Sequence, residues 1–425
     1  MPGLLHFGNP QSVQYVKICS LYGAGFYYIP GTDTCIKIGG FVRAEMNFNA
    51  NGSFAQFTSV NFSDRTTSFE TTRVRWLISA DARTQTEYGT LRAYFNMAEQ
   101  VTNEGGGSAG FDKGALALTG PTNWANRAFI QLAGFTAGLT DSFFDFDNFS
   151  YSNQTNLIGS SISGGGIPVF AYTAQFGNGL SASISAEDTR ARRTDITGDD
   201  YAAGQIPDVV GNLRIDQAWG SAQIMGAAHQ IRVVGDATGA HPDDKVGWAA
   251  GAGIKLNVPM LGKGDYAIAQ FTYSEGAINY VGNHLASFNI RDGRPLATGT
   301  SRAVGPVNDA VVVNNDLDLT KGWSVTGGFE HHWVPGWKTS LYGAFAQLNY
   351  SDAASVALTP AGSTGNADFS VWQVGSRTVW TPVQNLDLSV DVIYNNVNTA
   401  FDTTPGNEDK HWVAGMFRIQ RNFYP

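Results

Sequence analysis

From Ile36 to Phe48 the chain alternates, almost residue by residue, between apolar and polar side chains. Ile36, Ile38, Val42, Ala44, Met46 and Phe48 hold even positions, whereas Lys37, Arg43, Glu45 and Asn47 hold odd ones. Successive side chains of a β-strand point to opposite faces of the sheet, so this segment has one apolar face and one charged face. Arg73 to Arg83 repeats the pattern: Val74, Trp76, Ile78, Ala80 and Ala82 share one parity, and Arg73, Arg75, Asp81 and Arg83 the other. Arg92 opposes Leu91, Ala93, Phe95 and Met97; Arg127 and Gln131 oppose Ala128, Ile130 and Leu132. Lys245 and Lys255, and later Asp387 and Asp391, are segregated from their apolar neighbours in the same way.

About sixteen segments carry this signature, near 36–48, 70–83, 88–98, 125–134, 135–140, 167–176, 180–187, 208–216, 221–231, 245–258, 265–274, 322–333, 338–350, 368–381, 386–394 and 410–423. The segment at 135–140 is the weakest. Connections alternate between short ones such as Gly177-Asn178-Gly179 and Val334-Pro335-Gly336-Trp337, with turn-forming residues, and long ones near 49–69, 99–124, 141–166, 188–207, 232–244, 275–321, 351–367 and 395–409. Short turns on one side, long loops on the other and an even strand number describe an antiparallel transmembrane β-barrel. A charge facing lipid at the bilayer midplane costs roughly 2–4 kcal/mol, which the parity avoids. Arg421 breaks the rule near the chain end, where a long side chain can snorkel to the interface.

Composition agrees. Charged residues make up 15% of the 425, against about 25% in soluble domains, yet the mean hydropathy is −0.15. Two opposite faces averaged into one number give that result. No stretch approaches the ~18 to 20 apolar residues of a membrane-spanning helix. The net charge of −9 offers no basic surplus to a phosphate backbone, so nucleic acid is not an expected partner. A soluble β-sandwich or propeller, as in an adhesin or hydrolase, also alternates, but sixteen long strands there would not need long loops on one side only. Phe48, Tyr88, Phe176, Tyr273, Trp333, Trp380 and Tyr394 sit at strand ends on the apolar parity, as interfacial girdles do.

Enzyme-like motifs are weak. Gly106-Gly107-Ser108-Ala109-Gly110 fits G-x-S-x-G but lies in a loop, without the strand and helix that frame a nucleophile elbow. His331 and His332 are adjacent on a strand, point to opposite faces and cannot share a metal; His332 is expected in the lumen beside Glu330. Asp199-Asp200, Asp243-Asp244 and the pair Asp316 and Asp318 read as solvated loop charge, with a divalent cation such as Ca2+ as the alternative; no other cofactor is expected. Cys19 and Cys35 would pair in an exported protein, and two buried thiols are the alternative. The start, Met1-Pro2-Gly3-Leu4-Leu5-His6, has no export signal, so the expectation is a signal removed from this chain.

Val16 to Arg43, with Cys19-Ser20-Leu21-Tyr22-Gly23 and Cys35-Ile36-Lys37-Ile38-Gly39-Gly40-Phe41-Val42-Arg43, resembles the opening of alphaproteobacterial general porins. Arg127 to Phe135, Asp141 to Phe146 and Gln420-Arg421-Asn422-Phe423 match too, so the resemblance runs from end to end. The final Pro425 departs from the aromatic ending usual in such barrels. The resemblance implies a homotrimer of sixteen-stranded barrels in the bacterial outer membrane, among lipids and lipopolysaccharide, passing small hydrophilic solutes and ions. It implies an N-terminal segment, 1–35, on the periplasmic or lumen side and a barrel over 36–423. It also implies that the third long loop, 141–166, folds inward and faces a basic wall. On that reading Asp141, Asp145 and Asp147 oppose Arg43, Arg73, Arg75, Arg83, Arg92 and Arg127 on strands one to four. Glu45 and Asp81 are available to pair with some of these arginines. A general diffusion pore leads; a sugar- or anion-selective channel is the alternative within transport.

Overall fold

The computed structural model describes residues 17–50, 54, 69–103, 119–124, 127–154, 157–159, 166–235, 238–282, 285, 290–295, 301–359, 363–403 and 409–423. The Gly106–Gly110 motif and Tyr424-Pro425 lie outside them. The sixteen expected segments form sixteen barrel strands. They are β1 Cys35–Phe48, β2 Glu70–Thr86, β3 Gly89–Thr102, β4 in two pieces, Thr119–Trp124 and Ala128–Leu132, β5 Phe135–Thr140 and β6 Ile167–Gly177. Next come β7 Leu180–Glu187, β8 Asp208–Gln217, β9 Gly220–Ile231, β10 Lys245–Asn257 and β11 Tyr266–Glu275. The last are β12 Lys321–Val334, β13 Trp337–Asn349, β14 Phe369–Val383, β15 Leu386–Asn398 and β16 Lys410–Asn422. Both pieces of β4 pair with β3, at Ala98–Thr102 and at Arg92–Phe95, so they count as one interrupted strand. Each barrel strand pairs antiparallel with its neighbour, and β1 pairs with β16 from Phe41↔Asn422 to Phe48↔Gly415. Closure joins the first barrel strand to the last, the condition for placing strands in hydrocarbon.

Burial is inverted relative to a soluble protein. Val42, Phe170, Ile224, Val246, Leu341 and Val390 are exposed on the outside. Asn47, Gln373, Ser340 and Asp391 are fully buried on the inside. Rings gather at both ends of the outer face. Near the short turns are Tyr88, Phe176 and Trp333, with Trp337 and Trp380 at 5.5 Å; at the other end are Trp248 with Tyr273 and Trp372 with Tyr394. Arg421 donates to the Gln384 carbonyl in the turn before β15, which takes its charge to the rim.

Two features lie outside the barrel wall. Cys19 and Cys35 form a disulfide, and Tyr27–Tyr28 pairs with Cys35–Ile36, so residues 17–34 are folded back onto the start of β1. Closing a loop of this length stabilises by about 3 kcal/mol in the chain-entropy model. Replacing both cysteines by serine should therefore open residues 17–34 to protease while leaving the heat-resistant gel mobility of the barrel unchanged; loss of that mobility would mean the bridge supports the barrel itself. At the long-loop end, Ile196–Thr197 runs parallel to Ala310–Val313, which pairs antiparallel with Asp316–Leu319. Ile196, Ile231, Val233, Ala310 and Leu317 form a small core beneath this sheet. The hydropathy of 275–321 did not reveal that path, because its apolar pieces are four residues long and pair across loops.

Candidate constriction site

The loop after β5 enters the barrel and stays there, and its own residues dictate this. Glu187, buried at the end of β7, accepts from the Ser142 hydroxyl at 2.6 Å and from the Phe143 amide at 2.9 Å. Asn212 donates to the Phe143 carbonyl at 2.6 Å. Phe144 is then buried among Val210, Met225, Ala249 and Tyr280. Further on, the wall gives way to glycine. A Cβ at Gly253 of β10 would lie 2.3 Å from the Phe146 ring, and one at Gly328 of β12 would lie 2.8 Å from Tyr151. Bare backbone at these two lumen positions lets the loop's aromatics lie flat on the wall.

The tip is fastened on the far side. The Asn153 amide donates to Asp391 at 2.6 Å, its side chain donates to Ser389 at 2.8 Å, and Arg418 donates to its side-chain oxygen at 2.8 Å. Ile158 donates from its backbone to Gln373 at 2.9 Å, and Leu157 and Ile158 are buried. The loop therefore follows the inner wall from β7 to β15 and leaves the β1–β4 wall facing it.

The three loop aspartates have different surroundings. Asp141 at the root is ion-paired with Arg127 of the adjoining wall. Asp145 is buried and paired with Arg192 at 2.8 Å; Arg192, itself fully buried, also lies 4.5 Å over the Tyr280 ring. Burial alone would lower the Arg192 guanidinium, but Asp145, Tyr280 and Glu187 together outweigh it and hold it above the ordinary arginine value. Asp147 accepts from the Phe149 amide at 2.9 Å, and burial pushes its carboxyl above the usual aspartate value. Asp145 is thus a pin for the loop, whereas half-buried Asp147 is the tip's own acid.

The six wall arginines separate into three places. In the strand register Arg43 lies across from Arg75 and Glu45 across from Arg73, and Glu45 also faces Arg418 on β16. Glu45 binds Arg73 at 2.8 Å and Arg418 at 2.6 Å, with Arg43 at 3.8 Å. Arg73 is buried there, 3.7 Å over the Phe54 ring. Arg75 donates to Gln100 at 2.8 Å. This group stands level with the loop tip, because Arg418 holds Asn153. Arg83 and Arg92 share Asp81, at 2.7 and 2.9 Å, and Arg83 lies over the Tyr22 and Phe26 rings of the N-terminal segment. Arg83 is eight residues further along β2 from Arg75, roughly 27 Å at about 3.4 Å per residue, so the two groups occupy different depths. Arg127 is at the loop root.

Sequence reasoning did not single out Arg377, Arg418 and Lys338. Arg377 on β14 binds Glu330 at 2.7 Å, and Lys338 on β13 binds the same carboxylate at 3.0 Å. Their signal was in the sequence: Arg377 shares parity with buried Gln373, and Arg418 with Gln420, each opposite exposed apolar neighbours. The restriction to strands one to four hid them. His332 does face the lumen, 3.9 Å from Glu330, while His331 packs against Trp333 on the other face. Among the loop carboxylates, Asp199 accepts from Gly235, Asp244 pairs with Arg232 and Asp316 with Lys245.

The chain resembles known proteins along nearly its whole length. A family model described as "Porin subfamily" matches residues 8–416. Porin Omp2b of Brucella canis is 28% identical over 344 residues, covering 78% of this chain and 88% of the relative. Porin Omp2a of Brucella ovis is 29% identical over 298 residues, covering 67% and 81%. The outer membrane channel DcaP of Acinetobacter baumannii superposes with a TM-score of 0.66 at 16% identity, over 93% of this chain and 99% of that one. OmpF of Salmonella typhi does so with a TM-score of 0.53 at 11% identity, over 93% and 99%. At these identities the two structures speak for the fold alone. The match over residues 8–416, with the closed sixteen-stranded barrel, places the chain in the porin family, as a bacterial outer-membrane protein that provides a diffusion channel.

Proposed function

We propose that the channel admits small hydrophilic solutes and ions through a constriction between the loop tip, Asp147–Asn153, and the wall bearing Arg43 and Arg75. The observation that carries this reading is the fastening of Asn153 to Asp391, Ser389 and Arg418, which holds the loop across the bore at the level of Glu45. Asp147 on the tip and the arginines opposite set up a transverse field that orients dipolar solutes and disfavours apolar ones. Solutes pass chemically unchanged. The subunit works as a homotrimer within outer-membrane lipid and lipopolysaccharide; OmpT of Vibrio cholerae, whose trimer form superposes with a TM-score of 0.52, supports that assembly.

Neutralising Arg43 and Arg75 together with glutamine should move the reversal potential in a KCl gradient toward cations. Arg73→Gln should move it less, because Arg73 is buried and its charge is matched by Glu45. Unchanged selectivity in the double variant would remove the β1–β2 arginines from the constriction.

A further inference from the structure

Beneath the loop tip, on the side of the short turns, lies a polar cavity of about 350 Å³, at the small end of the roughly 300–1,000 Å³ typical of ligand sites. Arg43, Lys338, Arg377 and Arg418 line it, with Asp387 and Ser389 on the strand between. The cations fall into two pairs. Arg43 and Arg418 belong to neighbouring strands β1 and β16, Lys338 and Arg377 to neighbouring strands β13 and β14, and β15 separates the pairs. Two strand spacings of about 4.8 Å put β14 and β16 roughly 10 Å apart. Arg73 and Arg75 stand behind Arg43 in the register. The lining itself holds four cations, Arg43, Lys338, Arg377 and Arg418, and one carboxylate, Asp387; Glu45 pairs with Arg418 and Glu330 with Lys338 and Arg377. Asp391 is already engaged by Tyr342 and by the Asn153 amide. Asp387 accepts from Thr381 at 2.6 Å.

We propose that this cavity is a solute-binding subsite for compact dianions, which carry two carboxylates or one phosphate and bridge the two cationic pairs. The proposal rests on the channel reading for its position in the bore, but binding itself does not require conduction. A dianion offers negative charge to both cationic pairs at once, whereas a monoanion can satisfy only one of them. Guanidinium forks favour carboxylate and phosphate oxygens over chloride, because they offer parallel donors. The hydroxyls and amides of Ser152, Ser389 and Gln420 leave the remaining lining polar, so the ligand can keep part of its water.

The test pairs two readouts on the full-length protein. Succinate, inorganic phosphate, acetate and erythritol are each titrated against single-channel chloride current in planar bilayers. The same solutes are titrated by calorimetry into the protein in detergent. Succinate or phosphate should bind and reduce the chloride current at concentrations at least about tenfold below those needed for acetate, and erythritol should do neither. Arg43→Gln combined with Lys338→Gln should weaken the dianion by about tenfold or more in both readouts, whereas Arg43→Lys should retain most of it. A response to succinate alone assigns the site to dicarboxylates, and one to phosphate alone to phosphate esters. Dianion binding in calorimetry without conductance steps would uphold the subsite and sink the channel reading. Conductance steps with succinate and phosphate no more effective than acetate would overturn the subsite and leave the channel standing.

Discussion

Replacing Glu45 by glutamine should both weaken the barrel and turn its ion preference toward anions. The Glu45 carboxylate is buried and is the shared counter-charge of Arg73 and Arg418, with Arg43 at the edge of the same group. Removing one partner of a buried ion pair leaves an uncompensated charge and costs about 3–5 kcal/mol. Here guanidinium groups would repel one another across β1, β2 and β16. The stability effect reads out as a lower temperature for loss of the folded gel band. The selectivity effect follows from sign alone: one negative charge leaves the level of the loop tip, so chloride gains and the reversal potential moves toward anions. Glu45→Asp keeps the charge on a shorter stem and should lie between the two. An unchanged band and an unchanged potential would show that the cluster neither supports the wall nor faces the bore.

Replacing Arg192 by alanine should loosen the constriction. Arg192 is fully buried and holds Asp145, four residues into the loop, while its guanidinium covers Tyr280. Without it the buried Asp145 carboxylate loses its ion-pair partner, a change that costs up to about 3–5 kcal/mol. The chain has a local way out that the Glu45 cluster lacks: the loop can lift Asp145 into water. The expected result is therefore a larger and noisier single-channel conductance with a barrel that still forms. Adding Asp145→Asn should recover part of the quiet state, since it removes the stranded charge, and the pair forms a double-mutant cycle for the coupling. Wild-type conductance and noise in Arg192→Ala would mean that Glu187 and Asn153 hold the loop by themselves.

Most of the barrel was legible because period-two alternation is a direct imprint of a sheet with lipid outside and water inside. Lys37, Arg43 and Glu45 against Ile38, Val42 and Met46 carry that imprint in a single strand. Even the weak segment at 135–140 is a strand, β5. The interruption of β4 was not legible, since the apolar pattern begins only at Ala128 and gives no sign of a piece at Thr119–Trp124. The site was legible in kind more than in detail. Parity placed Arg43, Glu45, Arg73 and Arg75 on the inner face, but depth along the bore depends on register with β16, which adjoins β1 only through closure. Arg83 and Arg92 stood beside Arg73 in the sequence reading although they share Asp81 far along β2 and β3, a separation that the spacing from Arg75 to Arg83 along one strand already implies. Asp145 likewise carries no local mark separating it from Asp147, because its partner Arg192 comes from another loop. Gly253 and Gly328 were visible as glycines, but their purpose depends on which rings lie on them.

Loop 141–166, fastened at Asn153, sets the bore of this outer-membrane diffusion channel, and its hold there can be measured. This role is tested most directly by single-channel recording in planar bilayers with neutral polymers of graded size in the bath. Discrete, ohmic conductance steps are expected that small polymers reduce and larger ones do not, with the size limit rising in a variant carrying Asn153→Ala and Arg192→Ala. Folded protein that gives no steps, or a size limit the double variant leaves unmoved, would contradict it.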